Sequence, residues 1–183
     1  MKIITEYYEK QKINNLITGL IIFFAGLFPL GSVLYSYYLL ILKQTHTISS
    51  KSQGTLTLTF IVVLLLSVFI VYLFLSLKLE IKVNNNGIYF RFYPFHKRFR
   101  LIPFTDIKRF RIRRFRPILE YGGWGIRYSI KRNGIGYTIS GKYGLQLELH
   151  SNKRLLIGVK YPEAMLNAMN SFIPEKHIVN QHE

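Results

Sequence analysis

Two long apolar runs without a charged residue lie within the first 77 residues of the chain, at residues 16–42 and 56–77. A helix needs about 20 apolar residues to cross the hydrocarbon core of a bilayer. It also satisfies its own backbone hydrogen bonds there, which irregular chain cannot do. The runs therefore predict two transmembrane helices. We expect the first to stay attached, because the apolar part of a signal peptide is only about 7–15 residues long.

Basic residues are distributed unevenly around the two runs. Three lie before the first run: Lys2, Lys10 and Lys12. Two lie between the runs: Lys43 and Lys51. Six follow soon after the second run: Lys78, Lys82, Arg91, Lys97, Arg98 and Arg100. Lys and Arg near a span are retained on the cytoplasmic side. We therefore expect a multi-pass protein of the cell membrane, with a helical hairpin, both termini in the cytoplasm and the short connection outside.

Charge is concentrated after the second run. The chain has 25 Lys and Arg against 9 Asp and Glu. Residues 78–132 hold 15 of these basic residues and three acids, Glu80, Asp106 and Glu120. The chain contains no cysteine, which fits a reducing cytoplasm. It also excludes thiolate catalysis, cysteine zinc sites and iron–sulfur clusters.

A period-two pattern of apolar residues runs through residues 78–174 and predicts β-strands. Leu79, Ile81 and Val83 alternate with charged residues, and Asn86-Gly87 then indicates a hairpin turn. Arg109, Arg111 and Arg113 share one face of a later strand. Phe115 breaks this parity, so we expect a bulge or the end of the strand near Arg113 and Arg114.

The end of this region has the pattern of a helix. Pro162 and Glu163 mark its start, and Leu166, Met169, Phe172 and Ile173 form an apolar stripe before Pro174. The whole pattern predicts a mainly β domain of about seven or eight strands, as antiparallel sheets or a partly open barrel, with a C-terminal helix. The expected divisions are residues 1–77 for an N-terminal cytoplasmic segment and the hairpin, 78–174 for the cytoplasmic β domain, and 175–183 for a polar tail.

Several short segments resemble bacterial pleckstrin-homology-like (PH-like) domains of membrane proteins. They are the strand pair around Asn86-Gly87 and the stretches at residues 102–107, 121–127 and 155–163. In these proteins two N-terminal membrane spans often precede the β domain. The resemblance implies a PH-like fold in a bacterial inner membrane. The phosphoinositide-binding residues of eukaryotic PH domains have no matching positions that we can assign in this sequence.

The basic residues of the β domain are the candidate binding site. Anionic lipid attracts a basic residue near the membrane surface by about 1 kcal/mol. The candidate lipid-binding residues are Arg98, Arg100, Arg109, Arg111, Arg113, Arg114 and Arg116. The same cluster is also explained as a signal for topology and solubility with no specific ligand. Nucleic acid is a third partner class, but we do not expect it, because Phe99, Phe110 and Phe115 fit strand alternation better than base stacking.

No residue pattern indicates catalysis. The five histidines lack the spacing of metal ligands, and Ser140 has no identifiable His and acid partners. The segment Gly122-Gly123-Trp124-Gly125 lacks the spacing of a phosphate-binding loop. We expect no enzyme activity, no metal site and no cofactor.

Two functions remain open from the sequence. The first is a membrane-anchored cytoplasmic PH-like binding or scaffolding module that contacts anionic lipid through its basic residues. The second is an accessory or regulatory subunit of a membrane complex, containing a transporter or an enzyme, that acts by protein–protein contact. A membrane-protein partner and a homo-oligomer are both compatible with the second function.

Overall fold

The computed structural model describes residues 6–42, 50–130 and 132–176, which form two units. The helical unit comprises residues 13–76, and the β unit combines residues 1–12 with residues 77–183. Residues 43–49 of the predicted connection (residues 43–55) and residues 177–183 of the predicted polar tail lie outside the described residues. Residues 50–55 of that connection belong to the helix that begins at Ser50, so the second helix starts earlier than predicted.

The helical unit consists of α1 (Asn15–Ile21), a π-helical segment (Ile22–Leu27), α2 (Phe28–Leu42) and α3 (Ser50–Ser76). Its helices at Asn15–Leu39 and Thr57–Ser76 are long and apolar enough to cross a membrane. In both, 6% of the residues in the apolar window are buried within the protein, so the described chain leaves their apolar side chains largely uncovered.

Small residues occupy the contact between these helices. Gly26 and Ser67 are buried, and a Cβ on Gly26 would lie 3.4 Å from a methyl group of Val71. Small residues let apolar helices approach closely in the absence of a hydrophobic driving force between them. The π-helical segment ends shortly before Pro29, which cannot donate the hydrogen bond that a regular α-helix needs.

The first sheet of the β unit is antiparallel and has the order β1-β2-β3-β4. Its strands are β1 (Tyr7–Lys12), β2 (Lys78–Asn84), β3 (Gly87–Tyr93) and β4 (Arg100–Pro103). The predicted hairpin between β2 and β3 is confirmed, but its turn is at residues 85–86, one position earlier than expected, because Gly87 already pairs with Asn84.

Strand β1 is the largest difference from the sequence-based division, which grouped residues 1–15 with the hairpin. It precedes the helical unit in the chain, yet pairs along its full length with β2. Its inward residues are Tyr7, Glu9 and Gln11. Because two of these three are polar, the apolar alternation by which strands were predicted is absent.

Glu9 ties β1 to the segment that leads into the last helix. Its buried carboxylate accepts hydrogen bonds from the backbone amides of Lys160 (2.8 Å) and Tyr161 (3.3 Å). It also accepts from Tyr7 Oη and Gln11 Nε2. Burial is the main cause that raises the pKa of Tyr7 well above its ordinary value, and the hydrogen bond from Tyr7 to Glu9 is the second. The buried carboxylate is thus compensated by four donors, as burial of a charge requires.

The second sheet has the order β5-β8-β9-β7-β6. Its strands are β5 (Ile107–Arg114), β6 (Gly125–Tyr128), β7 (Ile135–Thr138), β8 (Tyr143–Leu149) and β9 (Arg154–Val159). All neighbours are antiparallel except β7 and β9, which are parallel. The prediction of antiparallel sheets is therefore confirmed except for the parallel pairing of β7 with β9. Strand pairing does not join the two sheets in the described residues, so the barrel is not closed.

The described residues of the β unit include two α-helices. The predicted C-terminal helix is confirmed as α5 (Pro162–Phe172), but the side chains that it buries are Met165, Ala168 and Met169. Leu166 and Phe172, expected in the buried stripe, are only half-buried. The other helix, α4 (Pro117–Tyr121), was not predicted, because five residues are too few to show a helical period.

Candidate functional site

A row of charged side chains crosses three neighbouring strands of the second sheet. Arg109 on β5 pairs in register with Glu148 on β8, which pairs with Arg154 on β9. The Glu148 carboxylate forms an ion pair with Arg109 Nε on one side and lies 3.3 Å from Arg154 Nε on the other. One acid is therefore shared between two guanidinium groups, and the row keeps a net positive charge.

This row forms one wall of an open cleft of about 780 Å³, here called the basic cleft. Of the described residues that line it, five are basic and one, Glu148, is acidic. The basic ones are Lys108, Arg109, Arg132, Lys153 and Arg154. Grouped cations with guanidinium donors bind phosphate-type anions through charge-assisted hydrogen bonds.

Tight turns build the walls of the basic cleft. Asn152 has a φ of 59° in the β8–β9 turn, where its amide donates to Leu149 O at 2.9 Å. Gly134 has a φ of 83°, and a Cβ there would lie 1.8 Å from the carbonyl oxygen of Arg154. Glycine at residue 134 thus allows the chain before β7 to approach β9 closely, which places Arg132 near Arg154.

A second polar group lies beneath α4 and is here called the buried network; it comprises Arg113, Glu120, Asn133 and Gln146. Glu120 Oε2 accepts from Arg113 Nη1 at 2.8 Å and from Asn133 Nδ2 at 3.4 Å, while Arg113 Nε donates to Gln146 Oε1 at 3.2 Å. Only 11% of each side chain in the Arg113–Glu120 pair is exposed. The Arg113 guanidinium therefore has an internal partner.

The pKa of Glu120 reflects this environment. Burial by itself raises it, but the amide of Arg116 and the side chains of Arg113 and Asn133 stabilise the carboxylate more strongly. The net effect is a pKa below the ordinary value. Burial also raises the pKa of the neighbouring Tyr121.

The seven arginines proposed from the sequence do not form one patch. Arg109 lies in the basic cleft and Arg113 in the buried network, although both are on the same face of β5, as expected. The remaining five differ in exposure and place: Arg111 is half-buried on β5; Arg114 and Arg116 are exposed before α4; Arg98 and Arg100 are exposed at the first sheet.

Four basic residues of the basic cleft were not among the seven proposed arginines: Lys108, Arg132, Lys153 and Arg154. Ser151-Asn152 is a turn signal in the sequence, and the resulting register of β8 and β9 places Arg154 opposite Glu148. The position of Arg154 could therefore have been predicted from this turn. The approach of Arg132 depends on the parallel pairing of β7 with β9, which no local pattern indicates.

His96 and the glycine-rich turn (Gly122-Gly123-Trp124-Gly125) make packing contacts and hydrogen bonds within the fold. His96 packs near Phe90 and Tyr137, and burial, followed by the charge of Arg100, lowers its pKa. In the part of the chain that the structure describes, no group of three His, Cys, Asp or Glu residues is arranged to hold a metal. Trp124 in the glycine-rich turn donates to Gly141 O at 3.4 Å.

Comparisons with protein-family models, curated proteins and solved structures found no match to this chain.

Proposed function

We propose that this chain is a membrane-anchored PH-like module whose β unit binds phosphate-bearing headgroups of anionic lipids through the basic cleft. The observation that carries the proposal is the grouping of five basic side chains around one acid in an open cleft. The two helices that are apolar enough to span a membrane support a lipid as the source of the anion.

Strand pairing supports a hairpin anchor with both ends on one side. β1 ends at Lys12, just before α1, and β2 begins at Lys78, just after α3. The two strands are neighbours in one sheet, so both belong in the same aqueous compartment. The two apolar helices lie between these strands in the chain, so one helix would cross the bilayer away from this compartment and the other would cross back to it. The excess of Lys and Arg beside them favours the cytoplasm as that compartment.

The size of the electrostatic attraction is sufficient for a measurable lipid preference. The cleft residues carry five positive charges and one negative charge, which leaves a net of +4. At about 1 kcal/mol per basic residue near an anionic surface, this contributes up to about 4 kcal/mol. Screening within a Debye length of about 8 Å reduces the contribution of each charge that lies further from the lipid.

The test reverses cleft charges in the full-length protein. Arg132→Glu with Lys153→Glu is the informative pair. Arg109 and Arg154 are left unchanged, because both form ion pairs with Glu148 and replacing them would leave that carboxylate without its cationic partners. Native mass spectrometry in mild detergent measures retention of phosphatidylglycerol and of phosphatidylcholine. We expect the wild type to prefer phosphatidylglycerol. The double variant should bind it at least about 30-fold more weakly, because two attractive charges of about 1 kcal/mol each are lost and two repulsive charges are introduced.

The matched control reverses two exposed lysines outside the cleft, Lys97→Glu and Lys160→Glu. It makes the same change in net charge and should retain the preference. Equal retention of both lipids by the wild type, or equal losses in the two double variants, would contradict the headgroup site. A membrane protein that co-purifies at fixed stoichiometry, unaffected by the cleft variant, would instead favour the accessory-subunit function.

A further inference from the structure

The outer side of α4 and the segment after it expose a group of large apolar side chains. Ile118 and Leu119 on α4 are 66% and 60% exposed, and Tyr128 and Ile130 beyond the glycine-rich turn are 79% and 70% exposed. Together with Trp124, which is 40% exposed, these residues are here called the apolar face. Grouped exposure of this kind marks an interaction surface more often than isolated apolar residues do.

Backbone hydrogen bonds hold the parts of the apolar face together. The amide of Gly122 donates to Ile118 O at 2.9 Å, which closes the helix directly before Trp124. The amide of Ile130 donates to Glu120 O at 2.8 Å, which joins the chain after β6 to the end of α4. Ile130 therefore lies beside the helix that presents Ile118 and Leu119.

The inner side of α4 fixes which residues face outward. Pro117, Glu120 and Tyr121 are buried. Glu120 is bonded to Arg113, and a Cβ on Gly136 would lie 2.8 Å from the Tyr121 ring. Because this side is closely packed, α4 cannot turn Ile118 and Leu119 inward without breaking the buried network. Their exposure is thus a consequence of the fold.

Charge around the apolar face identifies its occupant. Arg114, Arg116, Arg127 and Lys142 are exposed in the adjoining segments, whereas the only acid of α4, Glu120, points inward. Apolar side chains ringed by cations complement an anionic bilayer surface, and Trp and Tyr are enriched at that depth. A second copy of the chain would bring the same cations together across a symmetric contact, which is unfavourable.

We infer that the apolar face inserts into the interfacial layer of an anionic bilayer, with Ile118 and Leu119 reaching the acyl chains and the surrounding cations contacting headgroups. The inference rests on the membrane location in the proposed function, but it does not require the basic cleft to bind a headgroup. It adds burial of apolar surface, at about 25 cal/mol per Å², to the electrostatic attraction.

The test uses the absence of cysteine from the chain. Leu119→Cys is labelled with an environment-sensitive fluorophore in the full-length protein, which is reconstituted into vesicles containing phosphatidylglycerol. Lipids with a nitroxide near the top of the acyl chain then serve as quenchers. We expect blue-shifted emission that these lipids quench. The matched control, Asn85→Cys in the exposed β2–β3 turn, should be neither shifted nor quenched.

A second readout avoids the fluorophore. Trp124 is the only tryptophan of the chain, so its emission in the otherwise unmodified protein should be quenched by brominated lipids in the same vesicles. Ile118→Ser with Leu119→Ser should reduce that quenching. Absence of quenching at both Trp124 and the label on residue 119, or disulfide-linked dimers through residue 119 without quenching, would overturn the inference.

The two proposals fail separately. Quenching at residue 119 that persists in the Arg132→Glu, Lys153→Glu variant would support insertion independently of the cleft. Preferential retention of phosphatidylglycerol together with an unquenched residue 119 would leave the headgroup site standing and reject insertion of the apolar face.

Discussion

At the scale of single residues, two of the three buried glutamates in the described part of the β unit hold separate segments together. Glu9 accepts from the backbone just before α5, and Glu120 holds Arg113 beneath α4. Neither role is visible in the sequence, where both residues look like ordinary surface acids. Glu9 is bonded to amides that lie 151 and 152 residues further along the chain, at Lys160 and Tyr161. Glu120 meets Arg113 because α4 folds back against β5. The arginines show the same effect. Strand alternation places Arg109 and Arg113 on one face of β5, but Arg113 is covered by α4 and paired with Glu120, so only Arg109 lines the basic cleft.

Glu120 gives a pH-dependent prediction. Its folded-state pKa lies below the ordinary value of 4.5, so the ionised carboxylate stabilises the fold above that pH. The stabilisation is lost as the pH falls through the folded-state pKa. Glu120→Gln should therefore lower stability at pH 7 by about 1–3 kcal/mol, the usual cost of leaving a buried polar partner unsatisfied.

Thermal unfolding followed by Trp124 fluorescence measures this effect in the β unit. The melting temperatures of wild type and Glu120→Gln should converge as the pH falls below the ordinary glutamate value. Glu175→Gln, at an exposed residue, is the control and should change little. A difference for Glu120→Gln that is the same at every pH would show that the carboxylate charge is not what stabilises the network.

At the scale of elements, the sequence predicts those structures whose signals are local. The two apolar helices, the β2–β3 hairpin and the helix from Pro162 are confirmed, since length, turn chemistry and periodicity each act within a short segment. β1 was missed because Glu9 and Gln11 occupy its inward positions. The parallel pairing of β7 with β9, and with it the basic cleft, depends on contacts between distant segments.

Helix α5 gives a prediction about packing. Ala168 is fully buried, whereas Ala164, one turn earlier, is exposed. Ala168→Asp should destabilise the β unit by several kcal/mol, because an unpaired charge would be buried. Ala164→Asp is the matched control and should be tolerated, since an acid suits the first turn of a helix. Equal melting temperatures for the two variants would show that α5 is not docked through Ala168.

At the scale of the whole molecule, the β unit is assembled from chain on both sides of the helical unit. A fragment that begins at Lys78 lacks β1 and leaves the edge of β2 unpaired. Such an edge is prone to aggregation. The lipid experiments above therefore use the full-length chain.

The β1–β2 pairing is tested by an engineered disulfide. Tyr8 and Lys82 are direct partners, and antiparallel partners lie about 4.5–5.5 Å apart between Cα atoms, which suits a disulfide. We expect Tyr8→Cys with Lys82→Cys to form an intramolecular bond on mild oxidation. Tyr8→Cys with Leu101→Cys is the control, because Leu101 is in the same cross-strand row three strands away, about 14 Å. Similar yields for the two pairs would contradict the strand order.

The most direct test of the proposed membrane-anchored hairpin is labelling of single cysteines in intact cells with a membrane-impermeant maleimide. Ser50→Cys lies at the start of α3, and Asn85→Cys lies in the β2–β3 turn. We expect Ser50→Cys to be labelled from outside, and Asn85→Cys to be labelled only after the membrane is permeabilised. External labelling of Asn85→Cys in intact cells would contradict a cytoplasmic β unit and with it the proposed binding of cytoplasmic-leaflet lipid.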